Sequence, residues 1–331
     1  MYKRVHIKNF RGLRELMIDD LGRVNLIVGE NGVGKTSLLE AIWLLLNAGE
    51  SVQSVSFDEV RGGRFAALTA DENWPLLFHR LDLGEQVSIV VREADGLKTS
   101  LQLGPGRSRS YWYRQADPTM GKTPAIREAQ ESYSSGNTPP SFPHGVFVST
   151  HREASLMDLA VRFLTTIGPA KIGDLVRDLQ RVLPSLRGLD LDFGPKEDGP
   201  PVIVADVGLA RPLPLPLLGD GVAHLLEVLL AVHFAASGVA LIDEVESGLH
   251  HQNLVAMWEA INRASFERNT QVFATTHSWE CIDAAISAFA ESHPSDFRLH
   301  RLEKDDAGTV RAVTFSHNQA HAALDLNLEV R

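Results

Sequence analysis

A phosphate-binding loop is encoded in the stretch IVGENGVGKTSLLEAIWLLL, residues 27 to 46. Gly29, Gly34, Lys35 and Thr36 fit the spacing G-x-x-x-x-G-K-[ST], with an apolar segment before the motif and a helix-forming segment after it. Glycines let backbone N–H groups surround a β-phosphate, the lysine bridges the β- and γ-phosphates, and the threonine hydroxyl is a Mg²⁺ ligand. The motif predicts a nucleoside triphosphate site formed by Gly29, Asn31, Gly32, Val33, Gly34, Lys35, Thr36 and Ser37.

A second Gly-Lys-Thr, at residues 121 to 123, lacks the rest of the motif. Ala116 stands where the first glycine is required, and no apolar strand precedes it. We therefore assign the phosphates to the first loop alone.

An acidic pair follows a second apolar segment. Four apolar residues, Val239–Ile242, predict a buried strand that ends in Asp243 and Glu244. At such a position Asp243 is expected to hold Mg²⁺ through its shell, and Glu244 to polarise the water that attacks the γ-phosphate. An acidic strand end that only solvates a loop is the alternative. Together with the phosphate-binding loop, the pair predicts an enzyme that hydrolyses a nucleoside triphosphate.

His277 ends the next apolar segment, QVFATTHS. A single histidine at a strand end is more often structural than catalytic. Neighbouring parallel strands, however, end at the same edge of an α/β sheet, which is where the phosphates bind. We therefore expect His277 to sense the γ-phosphate, so that the predicted catalytic residues are Lys35, Glu244 and His277.

Other nucleotide-binding machines fit the sequence less well. A GTPase would need the base-reading pattern N-K-x-D, which is absent. Small kinases lack the long separation between the phosphate-binding loop and the acidic pair. Ring-forming motors need a helical lid after the core, for which too little chain follows.

The elements that must position these residues predict an α/β fold in four parts. Residues 1–50 are predicted to form a strand pair, a buried strand at Val24–Val28 and a helix from Lys35 to about residue 47. Residues 51–145 predict an inserted antiparallel lobe that ends in a long mobile loop, from residue 105, and residues 146–216 predict a helical linker lobe. Residues 217–331 complete the core, with helices at about 222–236 and 254–264, and then a helix, a hairpin and a closing helix.

The composition is that of an ordinary globular protein. The chain has 331 residues and a formal net charge of −10, so its overall charge does not indicate nucleic acid, although a local basic face is compatible with it. The single cysteine, Cys281, excludes a disulfide framework and a cysteine-based zinc cluster. Because we find neither a signal peptide nor an apolar run long enough to span a membrane, we expect a cytoplasmic protein without a membrane partner.

The order of the motifs resembles that of an ABC-type P-loop ATPase of the SMC/RecF/OLD group, where OLD stands for overcoming lysogenization defect. The resemblance rests on IKNFRGLRELMIDDLGRVNLIVGENGVGKTSLLEAI near the start, LLGDGVAHLL as a signature motif, EVESGLHH as a D-loop and TTHS as a switch histidine. It implies an ABC-type ATPase head, a P-loop sheet with an N-terminal antiparallel β lobe, that uses ATP and Mg²⁺. It also implies that Arg11 contacts the nucleotide.

In this group two heads enclose two ATP molecules. The resemblance implies that Gly219, Asp220 and Gly221 cap the γ-phosphate bound by a second copy, and that Ser247 and Gly248 of the D-loop lie at the same interface. The expected partner is therefore another copy of this chain, in an ATP-dependent dimer or a higher multiple. An ordinary helix-entry turn capped by Asp220 is the alternative for the signature.

The sequence departs from the group at two motifs. The Q-loop should fall near GVFVSTHR, where no glutamine stands; Thr150, His151, Arg152 or the distant Gln53 could replace it. In the D-loop His251 stands where a proline is usual. The pair His250 and His251 has no third ligand at metal-binding spacing.

Three roles are compatible with these motifs. There is no long heptad insertion, and residues 279–331 lack the acidic set of a Toprim nuclease, so the resemblance implies a stand-alone ATPase. The first role is an ATP-gated sensor or scaffold for a separately encoded effector, a nuclease, in bacterial defence against phage. The second is a RecF-like clamp on DNA in repair, for which Arg107, Arg109 and Arg114 could contact the backbone. The third, a transporter-type motor head, fits least well.

Overall fold

The computed structural model describes residues 1–47, 74–104, 110–116, 144–149, 156–166, 169–193 and 201–326. Its strands are β1 (Tyr2–Phe10), β2 (Leu13–Asp19), β3 (Val24–Val28), β4 (Val87–Glu93), β5 (Leu97–Leu103), β6 (Ser110–Ala116), β7 (Gly145–Val148), β8 (Gly188–Asp192), β9 (Val202–Asp206), β10 (Leu213–Pro214), β11 (Val239–Ile242), β12 (Gln271–Thr275), β13 (Phe297–Lys304) and β14 (Val310–Ser316). Its helices are α1 (Lys35–Leu46), α2 (Leu156–Thr166), α3 (Pro169–Gln180), α4 (Asp220–Phe234), α5 (Leu254–Arg268), α6 (Trp279–Ala290) and α7 (His317–Asp325).

The central sheet has the strand order β14-β13-β3-β12-β11-β7. Its strands β13, β3, β12, β11 and β7 are parallel, and β14 pairs antiparallel with β13 at the edge. Every residue of β3, β11 and β12 is buried. Parallel strands covered on both faces are selected for continuous apolar runs, which explains why these strands could be recognised in the sequence.

An antiparallel sheet with the order β2-β1-β4-β5-β6 packs beside it. Val5 and Ile7 of β1 are buried and their neighbours face outward, the alternation expected of a sheet with one covered face. The prediction assigned β4 and β5 to an inserted lobe; they extend the N-terminal strand pair instead. Residues 110–116, predicted to belong to the long loop, form the edge strand β6.

The middle of the chain contains more than the predicted helices. Helical periodicity in residues 152–164 and in residues 170–186 predicts two helices, which α2 and α3 confirm. A three-stranded antiparallel sheet of order β10-β9-β8 follows, which the sequence pattern did not reveal. These strands have two to five residues each, too few for a clear alternation.

Two helix boundaries differ from the prediction. Helix α4 begins at Asp220, two residues before the predicted start, because Gly219 adopts a φ of 102° and ends the preceding turn. Helix α5 continues to Arg268, four residues beyond the predicted end, and stops where Asn269 takes the left-handed φ of 54°.

Several predicted features lie outside the described residues. They are the Gly-Lys-Thr at 121–123, the Q-loop candidates Thr150, His151, Arg152 and Gln53, and the arginines at 107 and 109. Among the described helices, none is long and apolar enough to cross a membrane.

A buried polar network joins the C-terminal hairpin to the core. His300 of β13 is fully buried, its Nε2 lies 3.1 Å from Asn25 Oδ1, and its Nδ1 lies 2.9 Å from the Thr314 hydroxyl. Asn25 donates through its amide nitrogen to Gly22 O and Val272 O, which leaves Oδ1 facing the imidazole as an acceptor. Nε2 therefore carries the proton, and burial lowers the pKa of His300 to about 3.

This network predicts acid destabilisation that begins near neutral pH. The unfolded chain binds a proton at residue 300 below its ordinary pKa of 6.5, whereas the folded protein does not until the pH approaches about 3. The free energy of unfolding should therefore fall between these pH values by up to about 1.4 kcal/mol per pH unit. Urea denaturation of wild type and His300→Gln at pH 7, 6 and 5 measures the difference.

The His321→Gln variant, which removes a half-exposed histidine, is the control and should keep the wild-type dependence on pH. If His300→Gln also keeps it, His300 is not the source of the acid sensitivity.

Candidate nucleotide site

The phosphate-binding loop joins β3 to α1 and depends on glycine for its shape. Gly29, Gly32 and Gly34 have φ values of 139°, 78° and 115°, which side chains rarely tolerate. A Cβ at Gly29 would lie 2.5 Å from Leu302 O, and one at Gly34 would lie 2.7 Å from a methyl carbon of Leu13. The loop therefore has both the backbone conformation and the close packing that the motif predicted.

Lys35 lies across this loop. Its Nζ donates to the carbonyl oxygens of Gly29, at 2.6 Å, and Glu30, at 3.1 Å. The ammonium group is thus held at the loop by neutral acceptors, for which phosphate oxygens can substitute with a stronger, charge-assisted bond. Asn31 and Gly32 are exposed, Val33 is buried, and Ser37 is partly buried on the first turn of α1.

Asp243 brings the loop and the acidic strand end together. The Thr36 hydroxyl donates to its carboxylate at 3.1 and 3.3 Å, and the Thr275 hydroxyl donates at 2.6 Å. The two predicted Mg²⁺ ligands, Thr36 and Asp243, are therefore adjacent, and hard oxygen donors of this kind suit Mg²⁺. Thr275 was not predicted; its position at the end of the strand next to β11 was the available signal.

Glu244 and His277 also meet, as predicted from the parallel strands. Glu244 Oε1 lies 3.9 Å from His277 Nδ1. Glu244 has a φ of 49°, a conformation that costs a non-glycine residue roughly 1–2 kcal/mol, and its N–H donates to Thr275 Oγ1 at 2.8 Å. Their side chains are 43% and 55% exposed, so this part of the site is open to solvent.

The signature residues pack against the D-loop of the same chain. A Cβ at Gly221 would lie 2.4 Å from Gly248 O, and Gly248 has a φ of 70°. Gly219 has open space around it, and Asp220 is exposed at the first turn of α4. Ser247 N donates to Glu244 O at 2.9 Å, which connects the D-loop to the acidic pair. The role of these residues toward a second copy stays a prediction.

Arg11 is anchored by Glu40, a residue of the quoted motif for which no role was predicted. It has a φ of 50° in the turn after β1, and its Nε lies 3.0 Å from Oε2 of Glu40, a fully buried residue on α1. The turn is also held by a hydrogen bond from Arg11 N to Leu77 O, at 2.9 Å. The predicted contact between Arg11 and the nucleotide stays a prediction.

The two histidines of the D-loop contact each other rather than a larger set of ligands. The rings of His250 and His251 are 4.2 Å apart, and His250 Nδ1 accepts from Gln252 N. Among the described residues, no group of three or more His, Cys, Asp or Glu side chains is arranged to hold a metal ion.

Two family models match separate parts of the chain. Residues 1–89 match "AAA ATPase domain", and residues 166–283 match "AAA domain, putative AbiEii toxin, Type IV TA system". The first contains the phosphate-binding loop, and the second contains the signature, the acidic pair and His277.

The chain is also similar to curated proteins. The chain is 52% identical over 50 residues to the uncharacterized protein MJECL10 of Methanocaldococcus jannaschii, of which it spans 23%, and that segment is 15% of this chain. It is 23% identical to an ATP/GTP phosphatase of Helicobacter pylori over 96% of each chain. It is also 40% identical over 85 residues to the DNA replication and repair protein RecF of Shewanella woodyi, covering 26% of this chain and 21% of RecF.

Solved structures agree on the fold. An SMC head bound to the C-winged helix domain of ScpA superposes with a TM-score of 0.61 over 97% of this chain and 99% of that one, at 14% identity. The SMC head domain from Thermotoga maritima gives a TM-score of 0.51 over 95% and 98%, at 18% identity. The fold is therefore that of an ABC-type ATPase head.

The buried pair of Arg11 and Glu40 predicts a large loss of stability when one partner is removed. Arg11→Met removes an arginine partner from the fully buried Glu40 carboxylate, which should lower the free energy of unfolding by about 3–5 kcal/mol. Replacing both residues by methionine should recover most of that loss. Urea denaturation of the three proteins measures it.

The exposed pair of Arg4 on β1 and Asp19 on β2 is the matched control, and Arg4→Met should cost less than about 1 kcal/mol. Equal costs for Arg11→Met and Arg4→Met would contradict the interpretation of the buried pair.

Proposed function

We propose that this chain, an ABC-type P-loop ATPase of the SMC/RecF group, joins two copies through ATP and Mg²⁺, and that the dimer gates a separately encoded nuclease in defence against phage. The observation that carries the proposal is the open catalytic face. Glu244 and His277 are 43% and 55% exposed, although phosphoryl transfer benefits from a site that excludes bulk water. A second copy would complete the site.

The signature motif of the second copy, residues 219–221, has the exposure and the helix terminus needed to contact a γ-phosphate bound by the first copy. Gly219 and Asp220 are exposed at the start of the 15-residue helix α4, whose N-cap makes no side-chain hydrogen bond. Free backbone N–H groups and the positive end of a helix dipole attract a phosphate.

Each residue of the site has a distinct role in hydrolysis. Lys35 binds the phosphates, and Thr36 and Asp243 would hold Mg²⁺, which neutralises phosphate charge when bound. The Glu244 carboxylate orients water and accepts a proton from it as the water oxygen bonds to the γ-phosphorus. The bond from the γ-phosphorus to the bridging oxygen breaks, and ADP carries the electron pair away. His277 donates a hydrogen bond toward the γ-phosphate.

The gated effector rests on the motifs and on one family description. The description of the family model that matches residues 166–283 names an AbiEii toxin of a type IV toxin–antitoxin system, and the order of the motifs resembles OLD-like ATPases. Both support a role in defence. The RecF relatives support the second candidate, a clamp on DNA, but only through a match that covers 26% of this chain.

Glu244→Gln and Lys35→Ala should separate hydrolysis from binding. Glu244→Gln keeps the side-chain volume but cannot accept the proton, so kcat for ATP should fall about 100-fold or more while ATP affinity is retained. Lys35→Ala should weaken ATP binding itself. Phosphate release and equilibrium binding of a fluorescent ATP analogue measure the two effects.

The matched control is Glu267→Gln, an exposed residue at the far end of α5, which should leave both quantities unchanged. Wild-type kcat in Glu244→Gln would exclude Glu244 as the catalytic carboxylate.

Dimerisation is tested with tagged Glu244→Gln protein purified from its own host and examined by native mass spectrometry. A dimer or higher multiple should form only with ATP and Mg²⁺. Adding Asp220→Arg, which places a cation and a long side chain at the signature, should prevent dimerisation. Adding Glu267→Arg, at the end of α5 far from the phosphate-binding loop, should not. A second polypeptide with nuclease activity in the ATP-bound complex would support the gated effector.

A monomer that retains bound ATP would contradict the shared site. A dimer that carries duplex DNA and no second protein would instead favour the RecF-like clamp.

A further inference from the structure

Glu246, two residues beyond the catalytic carboxylate, contacts the loop that carries His277. Its Oε1 accepts a hydrogen bond from the Thr276 hydroxyl at 2.7 Å and one from the backbone N–H of His277 at 3.3 Å. The same oxygen lies 3.7 Å from His277 Nδ1. The side chain is only 12% exposed. One carboxylate oxygen thus contacts the backbone, the ring and the preceding hydroxyl of this short loop.

The D-loop holds Glu246 at a fixed place. Val245, just before it, is fully buried and donates from its N–H to Thr275 O at 3.1 Å. Ser247, just after it, donates to Glu244 O at 2.9 Å. Glu246 therefore projects from a segment bonded on both sides, across the ends of β11 and β12.

We propose that Glu246 is a positioning residue for His277: it fixes the distance of the imidazole from Glu244 through the hydrogen bonds accepted by its Oε1. The proposal rests on the role of His277 at the γ-phosphate given under the proposed function. Because the His277 side chain is 55% exposed, packing restrains its ring less than that of a buried side chain, and the contacts with Glu246 contribute to its position.

A purely structural role fits the surroundings less well. The loop has its own anchors, because Thr276 N donates to Ile27 O at 3.1 Å and Ser278 Oγ caps α6 by accepting from Cys281 N at 3.1 Å. In addition, Glu246 Oε2 is buried and makes no hydrogen bond among the described residues. A buried acceptor without a donor destabilises a fold, and such groups are retained more readily where function requires them.

The test compares Glu246→Ala and Glu246→Gln in wild type and in the His277→Ala background. Glu246→Ala removes the acceptor, so kcat for ATP hydrolysis should fall about 10- to 100-fold while KM changes less than about threefold, as expected for a misplaced catalytic group. Glu246→Gln retains a carbonyl oxygen for the same bonds and should keep kcat within about threefold of wild type. In His277→Ala, Glu246→Ala should cause less than about a twofold further loss.

Thermal unfolding curves of each variant distinguish a misplaced His277 from a loss of folded protein. Glu246→Ala should show a reduced kcat at temperatures where it is fully folded. Glu280→Gln, an acidic residue of the adjacent helix that bonds to the Ser278 hydroxyl, is the matched control and should keep wild-type kcat.

An equal loss from Glu246→Ala with and without His277 would overturn the proposal, as would equal losses from the alanine and glutamine variants. If His277→Ala itself hydrolyses ATP at the wild-type rate, the role of His277 fails and the positioning role fails with it. ATP-dependent dimerisation is measured separately with Glu244→Gln. If that dimer does not form, the proposed shared site is wrong, and this outcome is distinct from the outcome of the Glu246 test.

Discussion

The carboxylate of Asp243 holds three parts of the candidate site in register. It is 3% exposed, and burying a charge at that depth is costly unless donors surround it. Thr36 supplies a hydroxyl from α1, Thr275 supplies one from the end of β12, and Asp243 N donates to Val148 O at the end of β7. The loop for the phosphates, the acidic strand end and the edge strand are therefore fixed by one side chain and its backbone.

From Asp243 the geometry extends outward to residues that are less constrained. Thr275 serves twice, since its hydroxyl donates to Asp243 and accepts from Glu244 N. Glu244 is thus positioned by Thr275 at the end of β12. Its backbone has a positive φ, and its side chain is partly exposed to solvent. Exposure increases from Asp243 through Glu244 to His277.

The fold class and the residues that meet at the candidate site follow from local patterns in the sequence, whereas the roles of those residues stay predictions. Glycine spacing and continuous apolar runs are local signals, and they were sufficient to predict the parallel strands that bring Thr36 to Asp243 and Glu244 to His277. Pairing between distant segments leaves no local signal, so the addition of β4 and β5 to the N-terminal sheet was missed. For the same reason Glu40 and Thr275 became visible only through their partners. The domain limits, the contact of Arg11 with a nucleotide and the role of the signature stay predictions.

The closeness of Gly29 to Leu302 makes the C-terminal hairpin part of the support of the phosphate-binding loop. β13 lies parallel beside β3, and the Leu302 carbonyl occupies the space that a side chain at position 29 would need. No residue after position 296 was predicted to touch a phosphate. The loop nevertheless packs directly against β13 at Gly29. A fragment that stopped before β13 would expose β3 as an unpaired edge strand, and the loop would lose the strand against which Gly29 packs. The strands β3 and β13 thus form one structural unit, and the phosphate-binding loop packs against a strand that lies far from it in the sequence.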